Sequence, residues 1–368
     1  MSPADDDKYT GGNKMKVKNY KNIIGRSFAV MLALSLAAGL SSCGNSSGDI
    51  NPEDSMTGTA ETETQNGPET PGRAVNIAVL AGPTGMGAAS LMNEAKTEYS
   101  FTVATAPDQV APSLISGEYD IAAIPTNLAA TLYQKTGGGI QVLAVNTGGV
   151  LYILENGSEI NSVADLRGKT VYVTGQASTP EYILNHILRK NGIEPGQNIQ
   201  IEYLSEHSEL AAKLASGDAA IGMLPEPNVT AALSKGGEGL RIALDLTEEW
   251  GKIAVDESSL LQGCIAVRRE FAEKYPDVVE DFLNDYRKSV GYITSGAEDV
   301  PEIIFSQGIV PSAAVAKKAL PNCNICFIDG NDMKQQLSGF LRVLYDADPK
   351  SVGGSLPGDD FYYGTEAG

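Results

Sequence analysis

Residues able to contact a ligand gather at a few turns of the chain. Pro83-Thr84-Gly85-Met86-Gly87 separates an apolar run from a helical one. Bare amides at such a strand-to-helix turn suit an oxygen-rich or anionic group. The turn has neither the Gly-Lys-Ser/Thr of a Walker loop nor the glycine spacing of a dinucleotide site. Gly175-Gln176-Ala177-Ser178-Thr179 is a second turn of this kind. Gln176 and Ser178 are its donors, while Thr179 either binds or caps the next helix. Thr126 and Asn127 follow an apolar strand, and each can donate and accept, so one can cap while the other binds. Glu226 stands between Pro225 and Pro227, a stiffly held carboxylate that would accept from an amine or amidine and repel an oxyanion. Its plainer role is a solvated rim charge. Thr147 falls in the expected hinge. Trp250, the single tryptophan, is either a stacking surface for a flat ligand or part of a core.

These residue types recognise; they do not point to bond-making chemistry. Cys323 and Cys326 have a metal-like spacing but supply only two ligands, and no second pair exists. Outside the cytoplasm they would be a strained local disulfide or two thiols, with Cys264 left over. His186 and His207 are too few and scattered to hold a metal, and both read as surface positions. No cofactor is implied. The formal charge of −19 lacks the basic stripe that a nucleic-acid partner needs.

The turns need strands and helices to hold them. Residues 75–80 read as a strand buried on both faces, 88–97 as a helix, 99–104 as a strand. A helix over 111–115 stops at Ser116-Gly117, and 120–125 is a third strand. Residues 141–145 add a strand, and the chain runs on into 150–154. The plan then recurs: strand 169–174, a helix opened by Thr179 and Pro180, strand 199–204, helix 210–215, strand 219–225. On the helix, Ile183, Leu184, Ile187 and Leu188 share one face. The recurrence shows in the letters too. Leu-Ile-Ser-Gly-Glu-Tyr-Asp-Ile-Ala-Ala-Ile-Pro (114–125) and Leu-Ala-Ser-Gly-Asp-Ala-Ala-Ile-Gly-Met-Leu-Pro (214–225) agree at 5 of 12 positions. Alternating strands and helices, repeated, predict an α/β fold of two doubly wound lobes with a ligand cleft between them. Residues 263–268 form a return strand. Helices are expected over 271–295, 312–320 and 333–345, and the Gly-, Asp- and Tyr-rich end has little periodicity.

The N-terminus belongs to neither lobe. Lys16, Lys18, Lys21 and Arg26 precede 14 uncharged, mostly apolar residues, 27–40. A spanning helix needs about 20, so the run reads as a signal-peptide apolar region. With Leu40-Ser41-Ser42-Cys43 behind it, it resembles a bacterial lipoprotein signal, which implies lipidation of Cys43; an ordinary secretory signal is the alternative. Residues 1–13 read as an extension. The divisions expected are 1–43 extension and signal, 44–73 flexible linker, 74–148 first part of lobe 1, 149–262 lobe 2, and 263–368 a return to lobe 1.

The signal, the duplicated lobes, Ser162-Val-Ala-Asp-Leu-Arg-Gly-Lys-Thr-Val171 and Leu224-Pro-Glu-Pro227 together resemble a solute-binding protein of an ABC importer. The nearest branch is the nitrate/sulfonate/thiamine-precursor type, with the type II periplasmic-binding fold, over residues 74–345 or so. The resemblance implies an extracytoplasmic, membrane-anchored monomer that is not an enzyme. It would close on a small solute and deliver it to an ABC permease. Two alternatives stand beside it: an enzyme on this fold, similar to menaquinone-precursor biosynthesis proteins, and a sensor lipoprotein that does not transport. The candidate turns hold no Arg or Lys, which tips the expected ligand toward a neutral or amine-bearing organic molecule over a sulfonate.

Overall fold

The structure is a computed structural model that describes residues 70–254 and 258–365. The expected signal, Cys43 and all but the end of the expected linker lie outside the described residues. The first run of elements is β1 (Val75–Leu80), α1 (Pro83–Met86), α2 (Ala89–Glu94), β2 (Tyr99–Ala104), α3 (Pro107–Ser116), β3 (Ile121–Pro125), α4 (Thr126–Thr136) and β4 (Ile140–Gly148). The second is β5 (Leu151–Asn156), β6 (Thr170–Thr174), α5 (Thr179–Lys190), β7 (Gln200–Leu204), α6 (His207–Ser216), β8 (Ile221–Pro225), α7 (Asn228–Lys235), β9 (Leu240–Asp245) and α8 (Leu246–Ile253). β10 (Leu261–Arg268) opens a last run of α9 (Arg269–Lys274), α10 (Pro276–Ile293), α11 (Val300–Ser306), α12 (Ala313–Ala319), β11 (Ile325–Asp329) and α13 (Gly330–Ala347).

Two sheets result, in the orders β11-β4-β10-β3-β1-β2 and β7-β6-β8-β5-β9. Without β11 they match position for position: β2-β1-β3-β10-β4 against β7-β6-β8-β5-β9. β1 pairs in parallel with β2 and β3, as β6 does with β7 and β8. The fourth strand of each sheet runs antiparallel to both neighbours: β10 to β3 and β4, β5 to β8 and β9. Each of these begins where the chain crosses from the other lobe. β3, apolar at four positions in a row, is buried on both faces, as a central parallel strand must be. β2 and β7, at the sheet edges, alternate in burial instead.

The sequence repeat maps onto equivalent elements. Its Ser-Gly pairs end α3 and α6, with Gly117 at φ 84° and Gly217 at φ 85°. A glycine supplies that left-handed cap without a Cβ penalty. The copies differ at one telling position. Asp120, 0 % exposed, accepts from Arg73 Nη1 at 2.7 Å, Arg268 Nη2 at 3.1 Å and the Asn76 amide at 3.0 Å. Its counterpart Ala220 is exposed. Only lobe 1 has a C-terminal return segment, and Arg268 comes from it.

Several expectations shift. The helix expected over 271–295 is two, α9 and α10, because Pro276 pushes Tyr275 out of the helical region, to φ −130°. Ser178 occupies the N-cap position of α5 without a side-chain cap bond, and Thr179 is the first helical residue, so the helix starts one position earlier than Thr179 as cap implies. β9, β11, α7 and α8 carry too short a pattern to read in advance. The C-terminal stretch is docked on lobe 1: Phe361 is 0 % exposed, Asp360 accepts from Tyr133 and Arg269, and the Tyr363 amide donates to the Val142 carbonyl. Aromatic anchors fix it where periodicity does not.

Candidate functional site

The turns singled out from sequence all sit at carboxyl ends of strands, where α/β proteins bind ligands. After β1, the Gly82 amide donates to the Ile309 carbonyl and α1 starts at once. Gly85 is obligatory here, since a Cβ would lie 2.2 Å from the Leu80 carbonyl oxygen. Pro83 and Thr84 are half-buried and available. Met86 is not: it is 0 % exposed, packed in a cluster with Ile293, Val300 and Ile304. Asn146, which the sequence reading passed over, fastens the turn. Its Nδ2 donates to the Thr84 carbonyl at 2.8 Å and to Tyr286 Oη at 3.0 Å. Its Oδ1 accepts from Thr147 Oγ1 at 3.0 Å. Thr147 is therefore a buried support of Asn146 rather than an open donor. The signal was there: adjacent polar residues inside an otherwise apolar strand.

At the end of β3, Thr126 is 1 % exposed and donates to the Leu261 carbonyl at 2.8 Å, tying α4 to the start of β10. Asn127 is half-buried, with Nδ2 3.4 Å from the Ser351 carbonyl. In lobe 2, Gln176 is exposed and Ser178 and Thr179 half-buried. The Ser178 hydroxyl donates back to the Gly175 carbonyl, closing the turn. The crossings are pinned by side chains from elsewhere: Gln262 Oε1 accepts from the Val150 amide at 2.8 Å, and Asn324 Nδ2 donates to the Gly149 carbonyl at 2.6 Å.

Glu226 and Trp250 depart most from expectation. Glu226 is no rim charge; it is 2 % exposed. Oε2 accepts from the Thr230 amide at 3.1 Å, and Oε1 from Thr230 Oγ1 at 3.1 Å and Asn322 Nδ2 at 3.0 Å. Burial pushes its carboxyl above the ordinary range, opposed by these donors. Trp250 is a core residue, 1 % exposed, with its ring 4.9 Å from His186 and 5.6 Å from Phe340. Neither histidine is a surface group: both are half-buried, and burial pushes both below the ordinary imidazole value. His207 Nδ1 lies 2.6 Å from Thr174 Oγ1.

The helix starts around the two strand ends fall into two sets. α7 and α8 have first-turn amides satisfied by carboxylates, Glu226 on Thr230 and Asp245 on Thr247. α1, α4 and α5 start without any side-chain cap. These three follow β1, β3 and β6, so they come from both lobes. Among the described residues no group of His, Cys, Asp and Glu could hold a metal, and Cys264, Cys323 and Cys326 are free thiols. Burial raises all three, Cys326 to about 12, which keeps them protonated and unreactive. A cavity of about 800 Å³ lies at the opposite, amino ends of β1 and β2, lined by Arg73, Lys96, Tyr99 and Asp281, and so is apart from these turns.

Paired sheets of one topology, each completed by an antiparallel strand entering from a crossover, with polar turns at their carboxyl ends, define a two-lobed ligand-binding protein of the type II periplasmic fold. A family model described as ABC transporter, phosphonate, periplasmic substrate-binding protein matches residues 86–310, and the chain belongs to that family. It is thus the substrate-binding component of an ABC importer, a class that hands small solutes to a membrane permease. Among solved structures it is similar to an ABC transporter protein from Parabacteroides distasonis, with TM-score 0.66 and 24 % identity over 78 % of this chain and 98 % of that one. It is similar too to the periplasmic aliphatic sulphonate binding protein SsuA of Escherichia coli, with TM-score 0.60 and 22 % identity over 77 % and 90 %. The alkanesulfonate-binding protein SsuA of Xanthomonas axonopodis pv. citri, bound to MOPS, gives TM-score 0.54 and 17 % identity over 77 % and 94 %. A comparison with curated proteins finds no match. No helix among the described residues is long and apolar enough to cross a membrane.

Proposed function

We propose that this protein captures a small organic oxyanion, a phosphonate or sulfonate, between its lobes and presents it to an ABC permease. The observation that carries the ligand class is the set of uncapped helix starts. α1, α4 and α5 start at strand ends of both lobes without a side-chain cap, whereas carboxylates accept from first-turn amides of α7 and α8. Open amides and the positive end of a helix dipole favour an anion's oxygens without any Arg or Lys. The expectation of a neutral or amine-bearing ligand came from the lack of Arg and Lys in the turns together with Glu226, and the oxygens of Glu226 are occupied by Thr230 and Asn322. The phosphonate in the family's description supports the same reading. Pro83, Thr84, Asn127, Gln176 and Ser178 are the side chains and turns proposed to face the ligand.

The division into lobes at residues 149 and 262 is part of this proposal, as is attachment to the cell membrane through lipidated Cys43 and a linker reaching to residue 73. Support for the anchor is the order of basic region, apolar run, small residues and cysteine in the sequence. The test is calorimetric titration of the purified protein with methylphosphonate, ethanesulfonate, nitrate and an aminopyrimidine. Binding of the phosphonate or sulfonate, with a melting point that rises with ligand concentration, is expected. Binding of the aminopyrimidine alone would overturn the ligand class.

A further inference from the structure

One short stretch of lobe 1, residues 318–324, carries a row of polar contacts to lobe 2. Lys318 Nζ donates to Ser234 Oγ at 3.3 Å, at the end of α7. The Asn322 carbonyl accepts from Tyr152 Oη at 2.8 Å, and its Nδ2 donates to Glu226 at 3.0 Å. Asn324 Nδ2 donates to the Gly149 carbonyl and lies 3.4 Å from Thr247 Oγ1. The stretch therefore touches β5, the end of β8, α7 and α8. Its centre is buried: Tyr152 is 3 % and Glu226 2 % exposed.

Glu226 draws two of its three donors from its own lobe, through Thr230, and the third from the other lobe, through Asn322. Separating the lobes would break the third bond and let water reach the carboxylate. We propose that residues 318–324 are a clasp that holds the lobes shut, with Glu226 as its buried anchor, so that Glu226 governs affinity through closure and not by touching the ligand. The proposal rests on the reading that the lobes open and close around a solute. A hydrogen bond to a charged group shifts an equilibrium by about 10- to 100-fold. An apparent affinity falls by the same fraction as the closed population.

The experiment is hydrogen exchange followed by mass spectrometry on the ligand-free protein, wild type against Asn322→Ala. Tyr152→Phe serves as a milder second variant that keeps the ring and removes only the phenol donor. Exchange in residues 226–235 and 318–324 is expected to speed up about tenfold or more in Asn322→Ala, with β1 peptides unchanged. Tyr152→Phe is expected to move the same peptides in the same direction. Unchanged exchange in both variants overturns the clasp. So does an equal acceleration across the whole chain, which would make these bonds merely structural. Unchanged ligand-free exchange with lost phosphonate binding would return Glu226 to the ligand site. A wild-type protein that binds no oxyanion refutes the ligand reading but leaves this ligand-free measurement intact.

Discussion

Asn146→Ala is expected to lower the melting temperature by about 5 °C and to weaken ligand binding. The Asn146 side chain is 1 % exposed and makes three hydrogen bonds, to the Thr84 carbonyl, Tyr286 Oη and Thr147 Oγ1. Each is worth about 1 kcal/mol net, so the set contributes about 3 kcal/mol. Unfolding entropy near 2.1 cal/mol/K per residue, over roughly 300 residues, gives about 0.6 kcal/mol per degree. The quotient is about 5 °C, and about 8 °C where lobe 1, roughly 180 residues, melts by itself. Affinity falls as well, because the Thr84 carbonyl loses the bond that fixes the turn after β1, and a contact that must be ordered on binding costs entropy. Differential scanning calorimetry reads the first effect and isothermal titration the second. A melting shift below about 1 °C with unaltered affinity would refute the reasoning. Water filling the deleted amide's place would then serve as well, and the turn would be held by Gly85 and the Ile309 carbonyl alone.

Trp250→Ala is expected to cost about 3–5 kcal/mol of stability, measured by denaturant unfolding, because the ring fills a core with His186 and Phe340. Ligand affinity of the folded variant should stay within about threefold, where a stacking role in the site would lose far more. The two histidines predict acid sensitivity. Burial lowers both, so the folded state binds fewer protons than the unfolded one. Their contribution is complete above the unfolded imidazole value near 6.5 and is lost as pH falls below it. His207→Gln, which can keep a bond to Thr174, should flatten the fall in urea midpoint between about pH 7 and 5. An unchanged slope would refute burial as the cause. Glu226 works with the opposite sign: its raised carboxyl contributes most below the ordinary carboxylate range and less as pH rises through its folded value.

The lobes are legible in the letters because their signals are local. A charge-free run of Ile and Ala, a Ser-Gly helix stop and a proline each impose conformation on their immediate neighbours, whatever surrounds them. Two copies of that string at 114–125 and 214–225 therefore announce two like units, and β3 and β8 are the result. The glycine turns are legible for the same reason, since Gly85 answers to a carbonyl only five residues away. β10 and β5 are another matter. Each looks like an ordinary apolar strand, and nothing in its own residues says that it lies antiparallel to both of its neighbours.

The same limit separates the candidate residues. Thr126, Thr147 and Glu226 have side chains that would suit a solute, and a chain of letters cannot tell whether such a group spends its bonds on a guest, on water or on the protein. The fold assigns Thr126 to a carbonyl 135 positions away and Glu226 to an amide 96 positions away. Local sequence dictates which groups can bind, because residue type fixes donors, acceptors and backbone freedom. Which of them remain open is decided only when distant segments meet, because a buried polar group takes whatever partner the packing brings and is then no longer available to anything else.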